Sequence, residues 1–132
     1  MRSGEKPIHA ELSYKVNGIL FKIHNELGRY RNEQQYSDAI EHYFRNSGII
    51  AEREKVLPIS FEGEMPGRNK VDFLVEGKII LEIKAKSILA KEDYYQTKRY
   101  LVASGKKLAI LVNFRDTFLR PRRVLNPQAK DN

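Results

Sequence analysis

Apolar residues recur every three or four positions in three parts of the chain, and this is the spacing of one face of a helix. The predicted helices cover residues 14–27, 32–47 and about 91–104. Asn32 and Gln35 resemble a capping box at the start of the second helix. A glycine, which tolerates a left-handed backbone, ends each helix: Gly28, Gly48 and Gly105.

Elsewhere the apolar positions alternate or form short runs, which indicates β-strands. The predicted strands cover residues 52–61, 71–75, 79–84, 107–114 and about 119–124. The chain therefore runs helix, helix, three strands, helix and strand, ending with a short further strand. This order predicts an α/β domain with a mixed β-sheet.

The length of 132 residues suits one domain, predicted at residues 13–125, with flexible tails at 1–12 and 126–132. The chain contains no apolar run of the roughly 20 residues that cross a bilayer, and its start lacks the apolar stretch of a secretory signal. Cysteine is absent, which excludes disulfides and thiolate metal sites. We therefore expect a cytoplasmic protein that does not interact with a membrane.

The strands at 71–75 and 79–84 predict a β-hairpin, with Gly77 supplying a left-handed residue in a three-residue loop. Side chains alternate between the two faces of a strand. One predicted face is wholly apolar: Val71, Phe73, Val75, Ile79, Leu81 and Ile83. These residues share the core only if Asp72 lies opposite Glu82, which fixes the register. The other face then carries Lys70, Asp72, Leu74, Ile80, Glu82 and Lys84.

Two carboxylates and a lysine thus converge on one side of the predicted hairpin. Mg²⁺ prefers hard oxygen ligands and often takes only one or two protein carboxylates. Asp72 and Glu82 are therefore candidate metal ligands, and Lys84 would project beside the metal to stabilise a phosphate or orient a water. The alternative is a salt-bridge cluster on a solvent-exposed hairpin, because Glu-x-Lys is common in strands.

The net charge of +7 favours a polyanionic partner, although a basic protein without such a partner would also show it. Four arginines cluster near the C-terminus: Arg115, Arg120, Arg122 and Arg123. They are candidates for phosphate contact, with plain solvated charge as the alternative. No glycine-rich phosphate loop is present, so we expect no nucleotide cofactor.

Asp72, nine intervening residues and Glu82-Ile83-Lys84 resemble the signature of the PD-(D/E)xK nuclease superfamily. More specifically, the chain is similar to the GxxExxY-type proteins of that superfamily. The matching stretches are IHNELG at 23–28, EQQY at 33–36, VDFLVEGKIILEIKA at 71–85, YYQTKRYLVASG at 94–105 and LAILVNF at 108–114. The resemblance implies a restriction-endonuclease-like fold, in which helices flank a central mixed sheet.

The resemblance also implies roles for single residues. Asp72 and Glu82 match the metal-binding acids, Lys84 matches the catalytic lysine, and Glu33 matches a helical glutamate that can complete the metal site. The chain departs from the family pattern at Tyr30, where the family name expects glycine. This departure leaves open the path of the turn before Glu33.

Further residues are expected to contact the substrate. Gln96 and Tyr100, one helical turn apart, resemble the Gln-x-x-x-Tyr element of RecB-like nucleases, which would orient the lysine or contact the nucleic-acid backbone. Tyr36 lies on the same helical side as Glu33. Arg122 and Arg123 complete the predicted substrate contacts.

The first hypothesis is a Mg²⁺- or Mn²⁺-dependent nuclease that hydrolyses phosphodiester bonds in nucleic acid, with DNA the expected form. The alternative is a non-catalytic nucleic-acid-binding or regulatory module that keeps the nuclease fold. A basic protein–protein adaptor is a third hypothesis, but it leaves the polar hairpin face unexplained. Because the chain is small, substrate recognition would favour a homodimer or a partner protein.

Overall fold

The computed structural model describes residues 7–129, in which three helices and five strands are present. The helices are α1 (Ala10–Leu27), α2 (Glu33–Asn46) and α3 (Lys91–Ser104). The strands are β1 (Ala51–Val56), β2 (Lys70–Val75), β3 (Ile79–Lys84), β4 (Leu108–Asn113) and β5 (Arg122–Leu125). None of the helices in this described part is long and apolar enough to cross a membrane.

The five strands form one mixed sheet in the order β1-β2-β3-β4-β5. Neighbours are antiparallel except β3 and β4, which are parallel. Parallel neighbours need a crossover, and α3 supplies it. The predicted α/β fold with a mixed sheet flanked by helices is confirmed.

The sheet has a separate apolar core on each face. Helices α1 and α2 cover one face through residues such as Leu20, Ile40 and Phe44, which pack with the β-strand residues Phe73 and Leu81. Helix α3 covers the other face through Tyr100 and Leu101. This arrangement explains the spacing of apolar residues along each helix, because each helix buries one apolar face against the sheet.

The boundaries of several elements differ from the predicted ones. Helix α1 begins at Ala10, so residues 10–12 of the predicted N-terminal tail are helical. Parts of both predicted tails, residues 1–6 and 130–132, lie outside the described residues. Strand β1 ends at Val56 rather than near residue 61, in keeping with Pro58, which lacks an N–H for the ladder.

Two helix ends with recognisable capping residues agree with the prediction. The capping box of Asn32 and Gln35 is present, with each side chain accepting a hydrogen bond from the other residue's backbone amide. Helix α3 has its predicted limits, and Gly105 caps it with a left-handed φ of 70°.

The hairpin has the predicted register. Phe73 pairs with Leu81, and Val75 pairs with Ile79, which brings Asp72 opposite Glu82. Gly77 has a left-handed φ of 65° as predicted.

One predicted core position in the hairpin is wrong. Val71 packs in the core beneath α3, whereas Phe73 and Val75 pack beneath α1 and α2. Pairing between β2 and β3 stops at Phe73, and Glu54, between the β1 residues paired with Val71 and Phe73, has a φ of 53°. The regular alternation therefore ends at this point of β2.

Candidate active site

Two acidic side chains replace main-chain pairing where β2 and β3 separate. The backbone amide of Asp72 donates a hydrogen bond to Glu82 Oε1 at 3.0 Å. The backbone amide of Ile83 donates in turn to Asp72 Oδ2 at 2.7 Å. Each carboxyl group is thus anchored to the other strand, and the two groups lie close together as the register predicted.

The surroundings of these carboxyl groups favour their neutral forms. Burial is the main cause that raises the pKa of Glu82 to about 8, and the negative charge of Asp72 adds to it. Burial also raises the pKa of Asp72, to which the charge of Glu33 contributes. The positive charge of Lys84 opposes both shifts. The pair is therefore a place where added positive charge would be stabilising.

Lys84 follows Glu82 by two residues on β3 and is held by α3. Its Nζ donates a hydrogen bond to Gln96 Oε1 at 3.2 Å and lies 4.0 Å from Asp93 Oδ1. The structure thus brings Gln96 to the lysine, as predicted. Tyr100, one turn further along α3, is only 8% exposed. Burial and then the charge of Glu82 raise the pKa of its hydroxyl.

Glu33 borders the site at the start of α2. Its Oε2 accepts a hydrogen bond from the backbone amide of Ala85 at 3.3 Å, and its charge influences the pKa of Asp72. Within residues 7–129 no three His, Asp or Glu side chains are grouped closely enough to hold a metal ion. Glu33 is therefore a neighbour of the pair rather than part of a three-carboxylate group.

The structure does not place Tyr36, a predicted substrate contact, on an accessible surface. Its side chain is fully buried and stacks on Phe114 with ring centroids 4.1 Å apart. Its hydroxyl donates to the carbonyl of Gly28 at 2.6 Å and accepts from the backbone amide of Arg31 at 3.2 Å. Tyr36 thus shapes the turn between α1 and α2 and is not available to a substrate.

The predicted arginines lie on β5, away from the carboxyl pair. Arg123 donates to Ser13 Oγ at 3.0 Å and to the carbonyl of Ile8 at 2.6 Å, so it fastens the start of α1. Arg122 is exposed and pairs with Leu111, which itself pairs with Glu82. Two strand spacings, about 10 Å, therefore separate its backbone from that of Glu82.

Two buried polar residues beside Lys84, Asp93 and Asn113, were not predicted from the sequence. Asp93 accepts hydrogen bonds from Lys86 Nζ at 2.9 Å and from the backbone amide of Ala90 at 2.7 Å. Asn113 Oδ1 accepts a hydrogen bond from the backbone amide of Lys86 at 3.0 Å, and Asn113 Nδ2 donates to the carbonyl of Lys86 at 2.7 Å. The available signal for Asn113 was its place at the end of an apolar strand, where it pairs with Lys84.

Comparison with protein families supports the nuclease resemblance over most of the chain. The family model described as the PD-(D/E)XK nuclease superfamily matches residues 10–124. A search of curated proteins and a search of solved structures each found no match. The matched range contains both carboxyl groups, Lys84 and the eight elements of the described fold, apart from Leu125 at the end of β5.

Proposed function

Because the chain belongs to the PD-(D/E)XK nuclease superfamily, we propose that it is a divalent-metal-dependent nuclease that hydrolyses phosphodiester bonds in DNA. Within the superfamily we propose the GxxExxY type. The observation that carries the function is the close pair of Asp72 and Glu82 carboxyl groups, with the ammonium group of Lys84 held beside it.

The donor set fits Mg²⁺ or Mn²⁺. Asp72 and Glu82 offer hard oxygen ligands, and one oxygen of each is already oriented by a backbone amide. Burial raises the pKa of both groups, and the negative charge of Asp72 adds to the rise at Glu82, so a divalent cation would relieve an unfavourable arrangement. When bound, such a cation stabilises negative charge on a phosphate and lowers the pKa of a water. Glu33, which borders the pair, is the candidate for a further ligand.

Lys84 and Gln96 have separate tasks in this proposal. The Lys84 ammonium is a preorganised positive charge, which acts on the phosphate as negative charge develops in the transition state. Gln96 is a positioning residue, because its Oε1 accepts a hydrogen bond from Lys84 Nζ and limits where the flexible side chain can go. Arg122 is exposed on the same sheet and would contact a neighbouring phosphate.

The test measures metal binding and DNA cleavage separately in wild type and two variants. We expect Asp72→Ala to weaken Mn²⁺ binding in calorimetry, because it removes a ligand. Lys84→Ala should keep metal binding but lower turnover by about 10²–10³, the typical loss for one strong transition-state donor. Lys98→Ala is the matched control, since Lys98 is exposed on α3.

Two results would contradict the proposal. If wild type binds metal and DNA but cleaves no DNA with Mg²⁺ or Mn²⁺, the chain acts as a non-catalytic binding module. If cleavage persists unchanged in both Asp72→Ala and Lys84→Ala, the activity belongs to another site or to a contaminant.

A further inference from the structure

An exposed tyrosine accompanied by two arginines stands in the turn between α1 and α2. Tyr30 is 74% exposed. The guanidinium carbon of Arg29 lies 5.1 Å from the centre of its ring, and that of Arg115 lies 5.5 Å from it. Both distances fall within the range of cation–π contact. Since most of the side chain remains accessible, these contacts leave ring surface open to a ligand.

The turn that carries Tyr30 is held in place by hydrogen bonds. Arg29 Nε donates to the carbonyl of Arg115 at 2.7 Å, and Arg115 Nε donates to the carbonyl of Arg29 at 3.0 Å. The buried hydroxyl of Tyr36 bridges the residues on both sides, Gly28 and Arg31. A ring on such a braced turn loses less conformational entropy when it binds a ligand than one on a mobile loop.

The Tyr30 turn adjoins the proposed catalytic strand. Arg115 Nη2 donates to the carbonyl of Ala85 at 3.4 Å, and Ala85 directly follows Lys84. Tyr30, Glu33, Ala85 and Arg115 line one pocket of about 490 Å³. A ligand on the Tyr30 ring would therefore lie next to the strand that carries Glu82 and Lys84.

We propose that Tyr30, Arg29 and Arg115 form a stacking platform for an unpaired base of the DNA substrate. An aromatic face within a positively charged surface is the usual means of binding single-stranded nucleic acid, because every base offers a π-face and the arginines attract the phosphates. In an intact duplex the base faces are stacked on one another. The platform therefore selects DNA with a single-stranded segment. This inference rests on the proposed function of the same site.

Binding is measured without turnover, by fluorescence anisotropy in EDTA at low salt. The probes are a labelled single-stranded DNA oligonucleotide and the blunt duplex of the same sequence. Tyr30→Ala should weaken binding of the single strand about 10- to 100-fold, as expected for loss of one base–aromatic stack. Tyr30→Phe keeps the ring and should bind within about twofold of wild type. Tyr14→Ala is the matched control, because Tyr14 is 81% exposed on α1.

Duplex binding should change little in all three variants. Unchanged single-strand affinity in Tyr30→Ala, or an equal loss for single strand and duplex, would overturn the platform. Cleavage of both probes with Mg²⁺ is assayed in parallel. If wild type cleaves DNA but Tyr30→Ala binds normally, the platform is wrong and the nuclease proposal stands. If Tyr30→Ala alone loses single-strand binding while no protein cleaves, the platform stands and the nuclease proposal fails.

Discussion

Glu82 should make the metal-free protein less stable as the pH rises from about 5 to about 8. Its pKa is raised from an ordinary 4.5 to about 8, mainly by burial. Between these values the folded protein keeps a proton that the unfolded chain has lost. Since the unfolded state binds fewer protons, the free energy of unfolding falls with increasing pH. The raised pKa of Asp72 acts in the same direction.

The size of this effect follows from the pKa difference. One pKa unit corresponds to about 1.4 kcal/mol, so Glu82 costs at most on the order of 5 kcal/mol across the window. A whole domain is typically stable by about 5–15 kcal/mol, which makes the loss readily measurable. His9 opposes it, because burial lowers the pKa of that histidine and stability gains as pH rises near its ordinary pKa. The assay therefore compares the pH dependence of the free energy of unfolding between variants that all retain His9.

The assay is urea unfolding in EDTA at several pH values. Glu82→Gln keeps the shape of the side chain but cannot ionise, so it should flatten the pH dependence and be more stable than wild type near pH 8. Glu62→Gln, at an exposed position in the β1–β2 loop, is the control. Mg²⁺ should stabilise wild type most at high pH, because it binds the ionised pair. Equal pH dependence in wild type and Glu82→Gln would refute this reasoning.

Four further outcomes are expected. Asn113→Ala should lower the free energy of unfolding by about 2–3 kcal/mol in urea titrations, because both backbone groups of Lys86 lose their partner. Gln96→Leu should reduce turnover about tenfold in steady-state kinetics without changing metal affinity, because Lys84 loses its acceptor. Tyr36→Phe should cost about 1–2 kcal/mol of stability, and full wild-type stability would contradict its role in the turn. Affinity for DNA should fall steeply with added salt in anisotropy titrations, and a salt-independent affinity would count against phosphate contact.

Local patterns in the sequence determined most of the elements and the centre of the candidate site. The hairpin register followed from two short apolar sets and one glycine, because a shift by one residue would turn every side chain to the wrong face. That register placed Asp72 opposite Glu82. The limits of α3 likewise followed from its own periodicity and from Gly105. These features depend on residues that are close in sequence, so they can be predicted without knowledge of the rest of the chain.

Tertiary structure decided which side chains surround that centre. Tyr36 has the spacing of a site residue next to Glu33, yet it is buried and stacks on Phe114, which directly follows the distant strand β4. Val71 fits the apolar alternation in the sequence, but the regular alternation of β2 ends where β2 separates from β3, and Val71 lies in the other core. Asn113 reaches Lys86 only because the α3 crossover sets β4 parallel to β3. Each outcome depends on contacts between residues far apart in sequence, and periodicity within one element carries no information about such contacts.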